Sequence, residues 1–271
     1  LTSSNLPYIM VFFAEGWQKN LGDWRQTSTA FPSGMGAAVQ QVRQAGLKAG
    51  IWLAPFVAAQ DSQLVRQNPE WFLKEISGKN VVYGKQQLFV LNFYHPEVQD
   101  YLHGLLHIIC DKWGFNVVQA GMMEAVCLAP PSGKTRGQVM HEALAFLRSA
   151  CGKTWLMADE VPLGSAIGQV DAVRCCPEPL SPPRTGWLNR LPWMKKVDVL
   201  GGLKTALARW QLNGGLWNNE NGCFTLLDPR FTPEQQQTAL LLQSLLGQWL
   251  WTSDDPNDYT AEQRCELEDA L

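Results

Sequence analysis

The sequence has no excess of positive charge. Its 22 lysines and arginines stand against 25 aspartates and glutamates, a net charge of −3 at neutral pH. With no basic run either, nucleic acid is not an expected partner. No apolar run approaches the ~20 residues that cross a bilayer, so no membrane contact is expected. Residues 1–5 are short and polar, so no secretory leader is expected. The seven cysteines fall in no spaced CxxC pairs. An odd set without a framework points to free thiols and a reducing, cytoplasmic setting. The four histidines, His95, His103, His107 and His141, are dispersed over expected helices. No metal or other cofactor is therefore expected. No lysine stands at an expected strand end for Schiff-base chemistry, no GxSxG elbow occurs, and no glycine-rich phosphate loop opens a helix.

What is present is apolar and aromatic. Apolar residues make up 46% of 271 and charged residues 17%, a globular composition long enough for one large domain over residues 1–271. Twelve tryptophans need either core or pocket to bury them. Short apolar runs at 8–13, 50–55, 88–93, 116–120, 155–158, 172–175, 215–218 and 248–251 read as strands covered on both faces. Amphipathic stretches at 34–44, 96–112, 135–150, 197–211, 233–246 and 260–271 read as helices. Residues 177–196, rich in proline and tryptophan, read as a long loop over the strand ends. Alternating strands and helices predict an α/β fold, a single (β/α)8 barrel whose site lies at the C-terminal strand ends.

Several segments, in order, resemble glycoside hydrolase family 36, the α-galactosidases. They are Glu15-Gly16-Trp17-Gln18 with Gly22-Asp23-Trp24, Phe31-Pro32-Ser33-Gly34-Met35, Gly46-Leu47-Lys48-Ala49-Gly50-Ile51-Trp52, Asn68-Pro69-Glu70-Trp71, Gly133-Lys134-Thr135-Arg136-Gly137 and Thr252-Ser253-Asp254-Asp255-Pro256. The resemblance covers the barrel and not the family's accessory β domains. It also implies where the catalytic groups should stand, and there the chain departs. The aspartates after strand one are Ala14 and Glu15. The Lys-x-Asp after strand four, which carries the nucleophile, is Gln119 and Gly121. The Gly-Cys-Gly after strand five is Ala158-Asp159-Glu160. The acid/base position after Arg174 is Glu178, and Asn-Asp-Pro-Asp after strand seven is Asn219-Glu220-Asn221-Gly222. Trp52 is unchanged.

Gly121 has no side chain with which to form a covalent sugar intermediate. Three readings follow. In the first, the pocket is remade, in nature or by design, for general-base chemistry on a small aromatic ligand. Asp159 is then the first candidate base, followed by Glu178 and Glu15, and the walls are Trp52, Trp217, Arg174, Gln119, Gly121 and Met122. Gly121, Ala14 and Ala120 leave room in that pocket. In the second, Glu178 works with Glu15 or Glu124 as a weak or inverting glycosidase. In the third, the chain is a non-catalytic scaffold that binds a sugar or aromatic ligand. Asp23 and Trp24 fit either a structural or a site role, and Arg174 is expected to pair with Glu178 or Asp159.

Overall fold

The computed structural model describes residues 8–176, 199–247 and 249–271. Its contacts divide the chain into two compact units, one of Ile9–Asp171 and one of Leu1–Tyr8 with Ala172–Leu271. Each is α/β with parallel strands. The loop expected at 177–196 and the first residues of the helix expected at 197–211 lie outside the described residues.

In the unit Ile9–Asp171, strands β1 (Met10–Phe13) and β2 (Lys48–Leu53) are joined through helix α1 (Gly34–Gln44). The chain then forms β3 (Val57–Ala58), α2 (Gln63–Gln67), β4 (Val82–Tyr83), β5 (Leu88–Val90), α3 (Pro96–His107), β6 (Val117–Ala120), α4 (Arg136–Cys151), β7 (Trp155–Ala158) and α5 (Leu163–Ala166). The parallel order is β1-β2-β6-β7. Ala49, Ile51, Leu53, Val118, Ala120, Leu156 and Ala158 alternate along β2, β6 and β7 on one face, and all are buried. Burial of each branched side chain among them contributes roughly 1.5–3 kcal/mol. Proline in the first turn starts α3. A reciprocal Thr135–Gln138 capping box starts α4.

The third expected parallel strand is a different structure. Residues Leu88–Val90 do extend, but they pair antiparallel with β3 and β4 in a separate three-stranded sheet. No place is open beside β2, because Gly50 to Leu53 pair directly with Val117 to Ala120.

In the second unit, β8 (Ala172–Arg174), α6 (Val199–Ala208), β9 (Asn218–Phe224), α7 (Pro233–Leu246), β10 (Trp249–Thr252) and α8 (Ala261–Ala270) follow in order. The strands run β8-β9-β10, all parallel. Capping boxes at Thr232 and Thr260 start α7 and α8. Phe224, Leu226, Leu240, Tyr259 and Leu267 form a buried cluster. Strand β9 lies later than the expected 215–218, so Asn219, Glu220 and Asn221 are buried within it rather than placed after it.

Candidate functional site at the strand ends

Side chains alternate across a strand, and partners in a parallel register share a face. Trp52 pairs with Gln119 and Gln119 with Met157, so these three lie on the face opposite Ala120. Gly121 donates its N–H to the Leu53 carbonyl at 2.9 Å, and Asp159 donates to the Ala120 carbonyl at 2.9 Å. Continuing the register one step sets Asp159 opposite Gly121, on the same face as Trp52 and Gln119. Ala120 points the other way and is 1% exposed. It therefore opens no space in this site, contrary to expectation. Ala14 is exposed in the turn after β1.

Nor does Gly121 leave an empty volume. A methyl group built on its α-carbon would stand 2.3 Å from Trp52 Nε1 and 2.9 Å from Cε2. The indole of Trp52 is laid over the bare backbone. It is braced by an edge contact with Trp24 at 6.0 Å, and its carbonyl accepts the Trp17 indole N–H at 2.7 Å. Beside it Gln119 is 4% exposed, and its Nε2 is buried without a partner. A buried amide donor left unpaired costs about 1–3 kcal/mol, so this atom marks an unfinished interaction.

The carboxylates are arranged in two sets. Asp159 is half-buried, and its Oδ1 accepts the Glu160 N–H at 2.8 Å. Glu160 has a positive φ of 56°, which turns its own side chain toward Tyr83. The Tyr83 hydroxyl lies 2.8 Å from Glu124 Oε1 and 3.1 Å from Glu160 Oε2. One phenol proton can be donated to only one of them at a time. Burial, then the hydrogen bond to Glu124, push the Tyr83 hydroxyl well above the usual phenol range. Tyr83 carried no signal in the sequence, because it sits on the small antiparallel sheet outside the repeating units. Glu15 is exposed and forms no hydrogen bond or ion pair with either set. Met122, half-buried, takes a left-handed φ of 51° that starts the tight turn Met123–Cys127 carrying Glu124.

Several other expected site residues belong to the second unit. Arg174 donates from Nε to Glu220 Oε2 at 2.5 Å, and Glu220 is fully buried in β9 and also accepts the Gly222 N–H at 2.8 Å. Glu220 is thus a partner of Arg174. Trp217 immediately precedes β9, at the end of the strand away from the expected mouth. It is 4% exposed and donates to Asn219 Oδ1 at 3.1 Å. Glu178 lies outside the described residues. Asp23 and Trp24 are structural: the Asp23 carboxylate accepts the Gln63 and Leu64 N–H groups at 3.0 Å each, and Trp24 is fully buried. Asp254 accepts from Thr225, Leu226 N–H and Tyr259, fastening the turn after β10. Among the described residues no group of three or more His, Cys, Asp or Glu is placed to hold a metal ion. No helix among them is long and apolar enough to cross a membrane.

Parallel strands with carboxylates, an indole and a buried amide at their C-terminal ends define a scaffold of the glycoside hydrolase kind. The sequence model of the melibiase family matches residues 14–147, so this part of the chain is similar to the melibiases. It is 32% identical over 123 residues to the α-galactosidase of Escherichia coli, covering 40% of this chain and 17% of that protein. It is 29% identical over 127 residues to the bifunctional α-galactosidase/sucrose kinase AgaSK of Mediterraneibacter gnavus, covering 44% of this chain and 13% of that one. Among solved structures, TtGalA, the α-galactosidase of Thermus thermophilus in complex with stachyose, superposes with a TM-score of 0.80 at 25% identity. The superposition covers 98% of this chain and 58% of that one. The family 36 α-galactosidase AgaA of Geobacillus stearothermophilus shares the fold, with a TM-score of 0.67 at 15% identity over 99% of this chain and 37% of that one. The matches thus span only part of the relatives' length.

Proposed function

We propose that this domain binds a small sugar at the ends of β2, β6 and β7. Bond breaking there would proceed by direct attack of a water deprotonated by Asp159, with a second carboxylic acid protonating the leaving oxygen, and not through a glycosyl–enzyme intermediate. The observation that carries this reading is the Trp52 indole lying over the bare α-carbon of Gly121, with Asp159 one strand across. A retaining mechanism requires a carboxylate nucleophile there. The buried, unpartnered Gln119 amide offers a donor for a sugar hydroxyl. Carboxylate general-base action is retained from the sequence reading, with a sugar in place of a flat aromatic ligand. Stachyose and p-nitrophenyl α-galactopyranoside occupy TtGalA, which makes galactosides the first compounds to try. Glu178 is the proposed second acid, and closure of a complete (β/α)8 barrel belongs to the same proposal.

A second reading rests on Tyr83. Because Glu124 and Glu160 both reach its oxygen, their carboxylate atoms stand at most about 6 Å apart. Retaining glycosidases hold theirs roughly 5–5.5 Å apart, so this pair could have taken over from the lost nucleophile.

The test is calorimetric titration with galactose and a nitrophenyl α-galactoside turnover assay. We expect saturable binding that weakens at least tenfold in Trp52→Ala. Turnover should fall by about 10²–10⁴ in Asp159→Asn, with a loss in Glu178→Gln. Loss confined to Glu124→Gln and Glu160→Gln would favour the second reading. Absence of binding, or turnover indifferent to all four carboxylates, would end both.

A further inference from the structure

Away from the strand-end face, the loop after β1, helix α2 and helix α3 enclose a cleft of about 310 Å³. That is the lower end of small-molecule sites and suits one sugar ring. Its single free charge is Arg25. The guanidinium lies over the Tyr101 ring, 5.4 Å from the centroid, and makes no hydrogen bond or ion pair among the described residues. Asp23, also in the lining, has both carboxylate oxygens engaged by the Gln63 and Leu64 N–H groups. Tyr101 is held from beneath by its own hydroxyl, which donates to the Gly22 carbonyl at 3.0 Å. Gly104, one turn along α3, keeps the place of the guanidinium clear: a methyl there would come 3.3 Å from Arg25 Nη2. Apart from the Asp23 carboxylate, the lining around this cation is neutral and rich in amides. Gln63 accepts from Gln26 and so keeps its own N–H₂ unused, and Gln67 has no partner.

We propose that this cleft is a second ligand site, for a hydroxylated monocarboxylate of single-ring size, a sugar acid. An arginine fork held on an aromatic face presents paired donors that fit a carboxylate bidentately. The amides of Gln63 and Gln67 offer the donors and acceptors that ring hydroxyls require. One cation beside neutral amides, with the Asp23 carboxylate in the same lining, matches a monoanion better than a doubly charged phosphate.

The test is calorimetric titration of the chain with galacturonate, galactose and acetate at about 0.15 M salt, where exposed charges are screened beyond about 8 Å. Galacturonate should bind saturably and at least tenfold more tightly than either comparison compound. Arg25→Gln should lower its affinity at least tenfold. Gly104→Ala should weaken it too, while favouring the helix, since alanine is the better helix former. Trp52→Ala should leave it unchanged, which separates this site from the strand-end site. Equal binding of galactose, equal binding of acetate, no binding at all, indifference to Arg25→Gln, or loss of galacturonate in Trp52→Ala would each overturn the assignment.

Discussion

Adding one methyl group at Gly121 tests the packing of the candidate site. The backbone there is not in the left-handed region, so alanine meets no conformational strain. Its nearest obstacle is the Trp52 indole, at 2.3, 2.9 and 3.2 Å from the new carbon. Those distances are far inside van der Waals contact, and a rigid ring braced by Trp24 can relieve them only by moving as a whole. Overpacking of this kind costs about 1–3 kcal/mol. Against it, replacing glycine by alanine restricts the unfolded chain and stabilises by about 0.4–1 kcal/mol. Gly121→Ala should therefore be destabilising by about 1 kcal/mol. In a Trp52→Ala background the obstacle is gone, and the same substitution should stabilise by about 0.4–1 kcal/mol. The sign reverses, and the coupling energy equals the overpacking cost. Urea denaturation of the four proteins, followed by far-ultraviolet circular dichroism, measures it. The same sign and size in both backgrounds would refute the contact.

Arg174→Met should cost about 3–5 kcal/mol, because it leaves the buried Glu220 carboxylate without its cation. Adding Glu220→Leu should recover most of that in chemical denaturation, and no recovery would argue against a buried pair. Tyr94 is raised to about 12 by burial and by its hydrogen bond to Glu142. Its neutral form is therefore favoured in the fold, so its contribution is complete below about pH 10 and is lost as pH rises toward about 12. Stability measured across that window should fall less steeply in Tyr94→Phe than in the parent; identical slopes would contradict the shift. Cys265 is exposed, whereas Cys110, Cys127, Cys151, Cys175 and Cys176 are buried, with burial pushing the Cys176 thiol up to about 12. A thiol reagent should modify Cys265 first under native conditions, and Cys265→Ser should remove that fast phase. A persistent fast phase would show another thiol to be open.

Those expectations need side-chain partners, and partners were the least legible feature of the sequence. Uninterrupted apolar runs such as Trp155–Ala158 and the helix beginning Thr135-Arg136-Gly137-Gln138 announced themselves, because burial on both faces and a capping pair leave local signatures. Strand β9 did not. Its centre is Asn219-Glu220-Asn221, polar residues that sit in a strand where groups such as Arg174 and Cys175 receive them. Residues 88–90 did look like a strand. Which sheet they join depends on the β2–β6 register some 30 residues away, and a short run carries no record of that. At the site, it is the parallel register that sets Asp159, Gln119 and Trp52 on one face. The space above Gly121 was misjudged, because a missing side chain says nothing about which neighbour moves in.

The central claim is that this domain forms no covalent sugar intermediate, since position 121 has no side chain to carry one. Incubation with 2-deoxy-2-fluoro-α-galactosyl fluoride, followed by intact-protein mass spectrometry, tests it most directly. The account predicts an unchanged mass under conditions that label a retaining α-galactosidase. A glycosyl adduct, mapped by peptide digestion to any side chain of this protein, would contradict it.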